Sequence, residues 1–229
     1  MTVTTSMLTR AAAVSAVVSG LLFVVIQFIH PSDDVSSVTT SAWAIVAYLT
    51  LAMSILGLVG ATGVYLRQVK ESGLLGLIGF VLFSLFLLMT TAFTFIEALV
   101  LPALAKQAPH IVEDINGIFG GVAADGSLGA LETVAPVAFA VYLLGGVLFG
   151  IAIFRARVLQ RWAGILLAVG AASTLLIPLL PHELGRLAAV PVGLALVWLG
   201  TSLWTKQRAS AATASPGVAS APLDRAAAE

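Results

Sequence analysis

The chain of 229 residues contains no cysteine. Disulfides, thiolate metal sites and cysteine nucleophiles are therefore excluded, whatever the compartment. Charge is scarce as well. Only 10% of residues are Asp, Glu, Lys or Arg, against about 25% in an ordinary soluble domain. Lys and Arg together number 11, as do Asp and Glu, so there is no basic footprint for a nucleic acid. Walker A, HExxH and GxSxG motifs are missing, as is a GxGxxG in a strand–helix context. No apolar run carries the serial arginines of a voltage sensor, and none carries an acid at its middle for a proton relay.

What the chain has in excess is apolar surface. Apolar residues make up 59% of it, and the mean hydropathy is +1.07. So few charges cannot cover the outside of a soluble core of that size. An integral membrane protein follows, with the lipid bilayer as its surroundings. A bilayer-crossing helix needs roughly 20 apolar residues. Six stretches qualify: Ala11 to Ile29, Trp43 to Tyr65, Leu74 to Val100, Thr133 to Phe154, Trp162 to Leu180 and Leu187 to Trp204. They are apolar on every face, whereas transmembrane strands alternate with period two. The expected fold class is all-α: a polytopic transmembrane helix bundle of six spans, occupying residues 1–204. The first stretch exceeds the 7–15 residues usual for a signal-peptide core, and no small-x-small cleavage site follows it. It is expected to be retained.

Orientation follows from Lys and Arg in short loops. With the N-terminus in the cytoplasm, Arg10, Arg67, Lys70, Arg155, Arg157, Arg161, Lys206, Arg208 and Arg225 lie inside. Only Lys106 and Arg186 lie outside. Both termini are then cytoplasmic, and the chain is expected to be multi-pass in a cell membrane. Residues 205–229 are Ala/Ser/Pro-rich, and such a segment buries too little to offset chain entropy. They are expected to form a disordered tail.

The one long loop, from about Leu101 to Glu132, contains an amphipathic segment. Ile111, Ile115, Ile118 and Phe119 are expected on one helical face, with Glu113, Asp114 and Asn116 on another. Such a helix either caps the bundle or closes over an outward cavity. A faint internal echo links Leu8-Thr9-Arg10 and His30-Pro31, around the first span, to Leu159-Gln160-Arg161 and Pro181-His182, around the fifth. Parallel repeats of this kind occur in transporters.

Glu97 is the only charge within a span, and an intramembrane acid is a candidate for function by default. It lies about 34 Å along its helix, near the outer edge of the hydrocarbon. At 100° per residue, Phe83, Phe86, Thr90, Phe93 and Thr94 share its face. That face describes either a funnel open outward or an ordinary helix interface. Gln27 sits at similar depth on the first span, within reach of a hydrogen bond to Glu97. The candidate polar site is therefore Glu97, Thr94, Thr90 and Gln27, with no catalytic residue assigned. His30, His110 and His182 share the outer side. Joined by Glu97 or Glu183 they would have the chemistry of a zinc or copper sphere, but no pair has ligand spacing. No metal and no other cofactor is expected. Gly57 with Ala61, and Gly146 with Gly150, form small-xxx-small pairs that suit packing within the bundle or a homodimer face. Trp43, Trp162 and Trp204 stand at span ends, as interface anchors do.

Three stretches resemble a broad group of small, uncharacterised six-helix membrane proteins of actinobacteria and related bacteria. They are Trp43 to Leu66, Gly73 to Ala105 and Val158 to Gly164. The second ends its span in a Phe-x-Glu-Ala-x-x-x-Pro pattern, here Phe95 to Pro102, and the third holds an Arg-Trp-Ala turn, here Arg161 to Ala163. The resemblance implies a bacterial inner-membrane protein of unassigned function, with Glu97 part of the shared pattern. The expected role is non-enzymatic, accessory or structural. Two alternatives stand beside it: outward-facing binding or transport of a small apolar or amphipathic molecule near Glu97, and a terpene-cyclase-like membrane enzyme with Glu97 as general acid.

Overall fold

The computed structural model describes residues 2–120, 126–179 and 185–213. Helix α1 spans Thr5–Ile29, α2 Ser41–Arg67 and α3 Val69–Phe95. A π-helical turn, Ile96–Val100, continues α3 into the short α4, Leu101–Leu104. Then come α5 (Pro109–Gly120), α6 (Val134–Ala156), α7 (Arg161–Ala172) and α8 (Val190–Thr213). Short 3₁₀ turns join several of them, and no strand occurs among the described residues.

Five of these rods are long and apolar enough to cross a membrane: α1, α2, α3 through α4, α6 with the turn before it, and α8 with the turn before it. Each leaves large apolar side chains outside, such as Leu21, Ile45, Leu77, Leu144 and Trp198. This is the build of a multi-pass membrane protein. The fifth apolar run departs from expectation. Its α-helix stops at Ala172, and Ser173–Leu179 continue as a 3₁₀-helix. The Ser173 hydroxyl donates to the carbonyls of Gly170 (2.7 Å) and Ala188 (3.1 Å), and Thr174 donates to Ala171 (2.6 Å). Captured carbonyls and the missing amide of Pro178 favour the tighter winding. The echo with α1 is thus not one of shape, since α1 runs unbroken for 25 residues; Pro181 and His182 lie outside the described residues. At the C-terminal end, α8 runs on to Thr213, beyond Trp204, and 214–229 lie outside the described residues.

The rods form a closed ring in which α1 packs on α2, α2 on α3, α3 on α6, α6 on α7, α7 on α8, and α8 back on α1. Lipid gives little hydrophobic drive for helices to associate, so close backbone approach has to do that work. Small residues permit it at three crossings. A Cβ on Gly20 would strike the Gly193 carbonyl oxygen, and one on Gly193 would meet the Gly20 oxygen at 2.7 Å. Gly150 and Gly164 block each other's carbonyls in the same way across α6 and α7. Between α3 and α6, Gly79 lies on the backbone of Phe149, and Gly145 on that of Phe83. Both Phe rings are buried beside these contacts, with centroids 6.4 Å apart. The Gly146/Gly150 pair is therefore spent inside the chain, Gly146 against Ala171 and Gly150 against Gly164. Two hydroxyl bonds tie neighbouring rods: Ser19 to the Met53 carbonyl (2.8 Å) and Thr91 to Ser54 (2.8 Å).

At one end, a second apolar cluster joins Val38, Trp43, Phe93, Leu101, Val112 and Ile115. Helix α5 lies over it. Its inward face is Val112, Ile115 and Asn116, while Ile111 and Phe119 are largely exposed. Ile115 and Ile118 of the expected face do pack on the cluster, and the Phe119 ring meets Phe93 edge-on at 4.7 Å, so the inward face is shifted toward Val112, not replaced. Val112, which outranks Ile111 in burial, takes the inward position, and Asn116 is carried inside with it.

Candidate functional site

Glu97 sits on the π-helical turn, and the sequence explains why that turn forms. Proline has no amide hydrogen, and in an α-helix its ring collides with the carbonyl four residues earlier. Pro102 stands in that relation to Ala98. Widening the turn relieves the clash: the Leu101 amide donates five residues back, to the Ile96 carbonyl. The carbonyl then left without a helical donor is that of Glu97, whose partner five residues on would be Pro102 itself. The Trp43 indole fills the gap, donating from Nε1 to the Glu97 oxygen at 2.9 Å. Trp43 is accordingly 3% exposed. It pins α2 to the turn and is not the membrane-interface anchor its position suggests.

An inserted π turn also changes which way later side chains face. Glu97 leaves the row of Phe83 and Phe86, which packs on Phe149 and Tyr142 of α6. It turns instead toward α1 and α2, where His30, Trp43, Val46, Ala47 and Thr50 join it around a small hollow. The hollow measures about 10 Å³, room for about one water molecule. Of the two readings of that face, the phenylalanines fit the helix interface: Phe83 is buried and Phe86 packs against the core. Of the expected partners, Thr94 alone is within hydrogen-bonding reach of the carboxyl. Thr90 donates to the Phe86 carbonyl (3.0 Å), and Gln27 donates to the Phe23 carbonyl (2.9 Å), each one turn back on its own helix. Gln27 therefore does not bridge to Glu97.

Sequence reasoning missed the polar chain that closes this end, an ion pair with a neighbouring imidazole. Arg186, before α8, donates from Nη2 to Asp33 Oδ2 at 2.6 Å. Asp33 Oδ1 lies 3.7 Å from His30 Nδ1, and the His30 ring meets Trp43 edge-on at 6.1 Å. The adjoining loop is held by Asp34, which accepts from the hydroxyls of Ser32 and Ser36 and the amide of Ser37. Those three donors keep its carboxyl well below the usual carboxylate range. No motif signals this chain, because its members come from opposite ends of the sequence. Two buried amides also carry no sequence signal: Gln68, between α2 and α3, and Asn116, on α5. Neither has a side-chain partner among the described residues.

Comparison with family models, curated proteins and solved structures found no match for this chain. Among the described residues no three His, Asp or Glu groups converge as a metal site; His182 and Glu183 lie outside them.

Burial pushes the His30 imidazole below its ordinary 6.5, and the nearby Arg186 adds to this; the Pro31 carbonyl and Asp33 act the other way. The unfolded chain then takes up the proton more readily than the folded one. The His30 contribution to stability is complete above pH 6.5 and shrinks as pH falls below it toward the lower folded value. Wild type is expected to lose more thermal stability than His30→Gln as pH falls from about 7.5 to about 5, a span that crosses the ordinary histidine value. Parallel melting curves in detergent check this, and equal losses would contradict it.

Proposed function

We propose that this chain is a six-span protein of a bacterial inner membrane, with both termini in the cytoplasm and an accessory or structural, non-enzymatic role. The size of the hollow at Glu97 carries the functional part. A space of about 10 Å³ takes one water, whereas ligand pockets run to about 300–1,000 Å³. An isoprenoid has no room beside the carboxyl. The general-acid alternative loses Gln27 as a partner, since that amide is bonded to its own helix, and keeps His30 and Thr94 beside the carboxyl.

The count of six draws support from the geometry of the fifth run. Its 12 α-helical and seven 3₁₀ residues extend about 32 Å at the rises of the two helix types. That matches a hydrocarbon core of about 30 Å, so the stretched winding offsets the small number of residues. Orientation rests on the cations. Arg10 and Arg208 both lie over the Trp204 ring, and Arg67 bonds Ser210, so three of the inside cations gather at one end. Arg186, assigned outside, pairs at the other end with Asp33. Membership in the six-helix group with the Phe-x-Glu-Ala-x-x-x-Pro pattern is part of the same reading, and Pro102 gives that pattern a physical meaning.

Two experiments test it. Reporter fusions after His110 are expected to be periplasmic, and those at the C-terminus cytoplasmic; the reverse at either site contradicts the topology. In a melting screen against isoprenoids, metals and apolar drugs, wild type is expected to show no shift that Glu97→Gln abolishes. A ligand saturating the site at 100 times its dissociation constant would add about 2.7 kcal/mol. A shift of that size, lost in Glu97→Gln, would favour the binding alternative.

A further inference from the structure

At the end of the bundle opposite Glu97 there is a larger hollow, about 290 Å³, between α3 and α6. Glu71, Ser72, Gly73 and Arg155 are among the residues that line it. It exists because α3 breaks at Gly73, whose φ of 57° and ψ of −158° are open essentially to glycine alone. Nothing stands within 4 Å of where a Cβ on Gly73 would be. The hollow therefore holds one cation and one carboxylate, both exposed. Among the described residues neither is in an ion pair; the Arg186 pair and the His30 contact are both made with Asp33. Two opposite charges on one cavity, not neutralising each other, match a ligand that carries both signs.

Its depth points to the class of that ligand. Gly73 and Arg155 stand where the apolar stretches of α3 and α6 begin and end, which is the headgroup level of a bilayer. Below the hollow, Leu74 (70% exposed), Ile78 and Val81 run along the outer face of α3, a path for acyl chains. We propose that this hollow holds a phospholipid whose headgroup has a phosphate and a primary ammonium, with Arg155 on the phosphate and Glu71 on the ammonium. A guanidinium binds phosphate through two parallel donors. A primary ammonium offers three N–H donors to a carboxylate, whereas a quaternary one offers none. An anionic glycerol headgroup has no cation to offer Glu71, whose charge would stay uncompensated beside the phosphate. The site rests on the membrane reading above.

The test uses the full chain, delipidated in detergent, with phosphatidylethanolamine, phosphatidylcholine and phosphatidylglycerol of identical acyl chains. Retention is read by native mass spectrometry. Phosphatidylethanolamine is expected to be retained at least tenfold more than either competitor. Arg155→Gln should lower that retention at least tenfold, while Arg155→Lys keeps most of it. Glu71→Gln should abolish the preference over phosphatidylglycerol. Both side chains are exposed, and an unchanged melting temperature without lipid certifies each variant as folded. Equal retention of the three lipids by wild type, or an undiminished preference in both Gln variants, would overturn the site. Recovery of the chain in the soluble fraction would instead overturn the membrane reading.

Discussion

Gly145→Val is expected to destabilise the bundle by about 3 kcal/mol or more, the upper part of the range for overpacking. A Cβ there would lie 2.5 Å from the Phe83 amide nitrogen and 2.8 Å from the Leu82 carbonyl carbon. Those are backbone atoms, so no rotamer change makes room. The helices must part, and the packing of Phe83 against Phe149 across the same crossing parts with them. The neighbouring Leu144→Val, at a site 51% exposed, is expected to change stability by at most about 0.5 kcal/mol. Unfolding by SDS, followed by circular dichroism, compares the two. Equal stabilities would mean that the α3–α6 crossing does not hold the bundle together.

Trp43→Ala should have the second large effect, about 3–5 kcal/mol. It removes a nearly buried ring from the cluster that α5 covers and leaves the Glu97 carbonyl without its donor. Trp43→Phe isolates the hydrogen bond and should cost about 1 kcal/mol. Pro102→Ala complements them. Restoring the amide gives the turn a donor of its own and removes the clash with Ala98, so the Trp43→Phe cost should shrink in that background. A double-mutant cycle measures this coupling. An unchanged Trp43→Phe cost would show that the proline does not govern the indole bond.

Much of the fold was legible because transmembrane helices are written in composition. The all-α class and the five long apolar rods follow from runs that only helices can satisfy in lipid. The winding of the fifth run was harder to see, since Ser173 and Thr174 look innocuous until their hydroxyls take helix carbonyls. The candidate site was legible only at Glu97 itself. Counting 100° per residue from Phe83 assumed an unbroken α-helix, and Pro102 breaks that assumption just after Glu97. The proline was the available signal for a rotated side chain. Gln27 and Thr90 bond their own helices for another reason. A polar side chain in an apolar helix can bond its own backbone one turn back, and periodicity cannot distinguish this from a bond across the bundle. The Arg186–Asp33–His30 chain depends on α8 returning to α1, which no local pattern encodes.

The ring has a consequence for the order of assembly. Among the described rods α1 is made before the others, yet its most extensive partner is α8, the last of them in sequence. The Gly20 face thus stays open to lipid, or to other nascent helices, until nearly the whole chain has been inserted. The pairs α1–α2 and α6–α7 close early because their members are neighbours in sequence, whereas this seam spans the chain and pays the largest loop-closure cost. A chain stopped before Val190 would carry two unsealed helix flanks, on α1 and on α7.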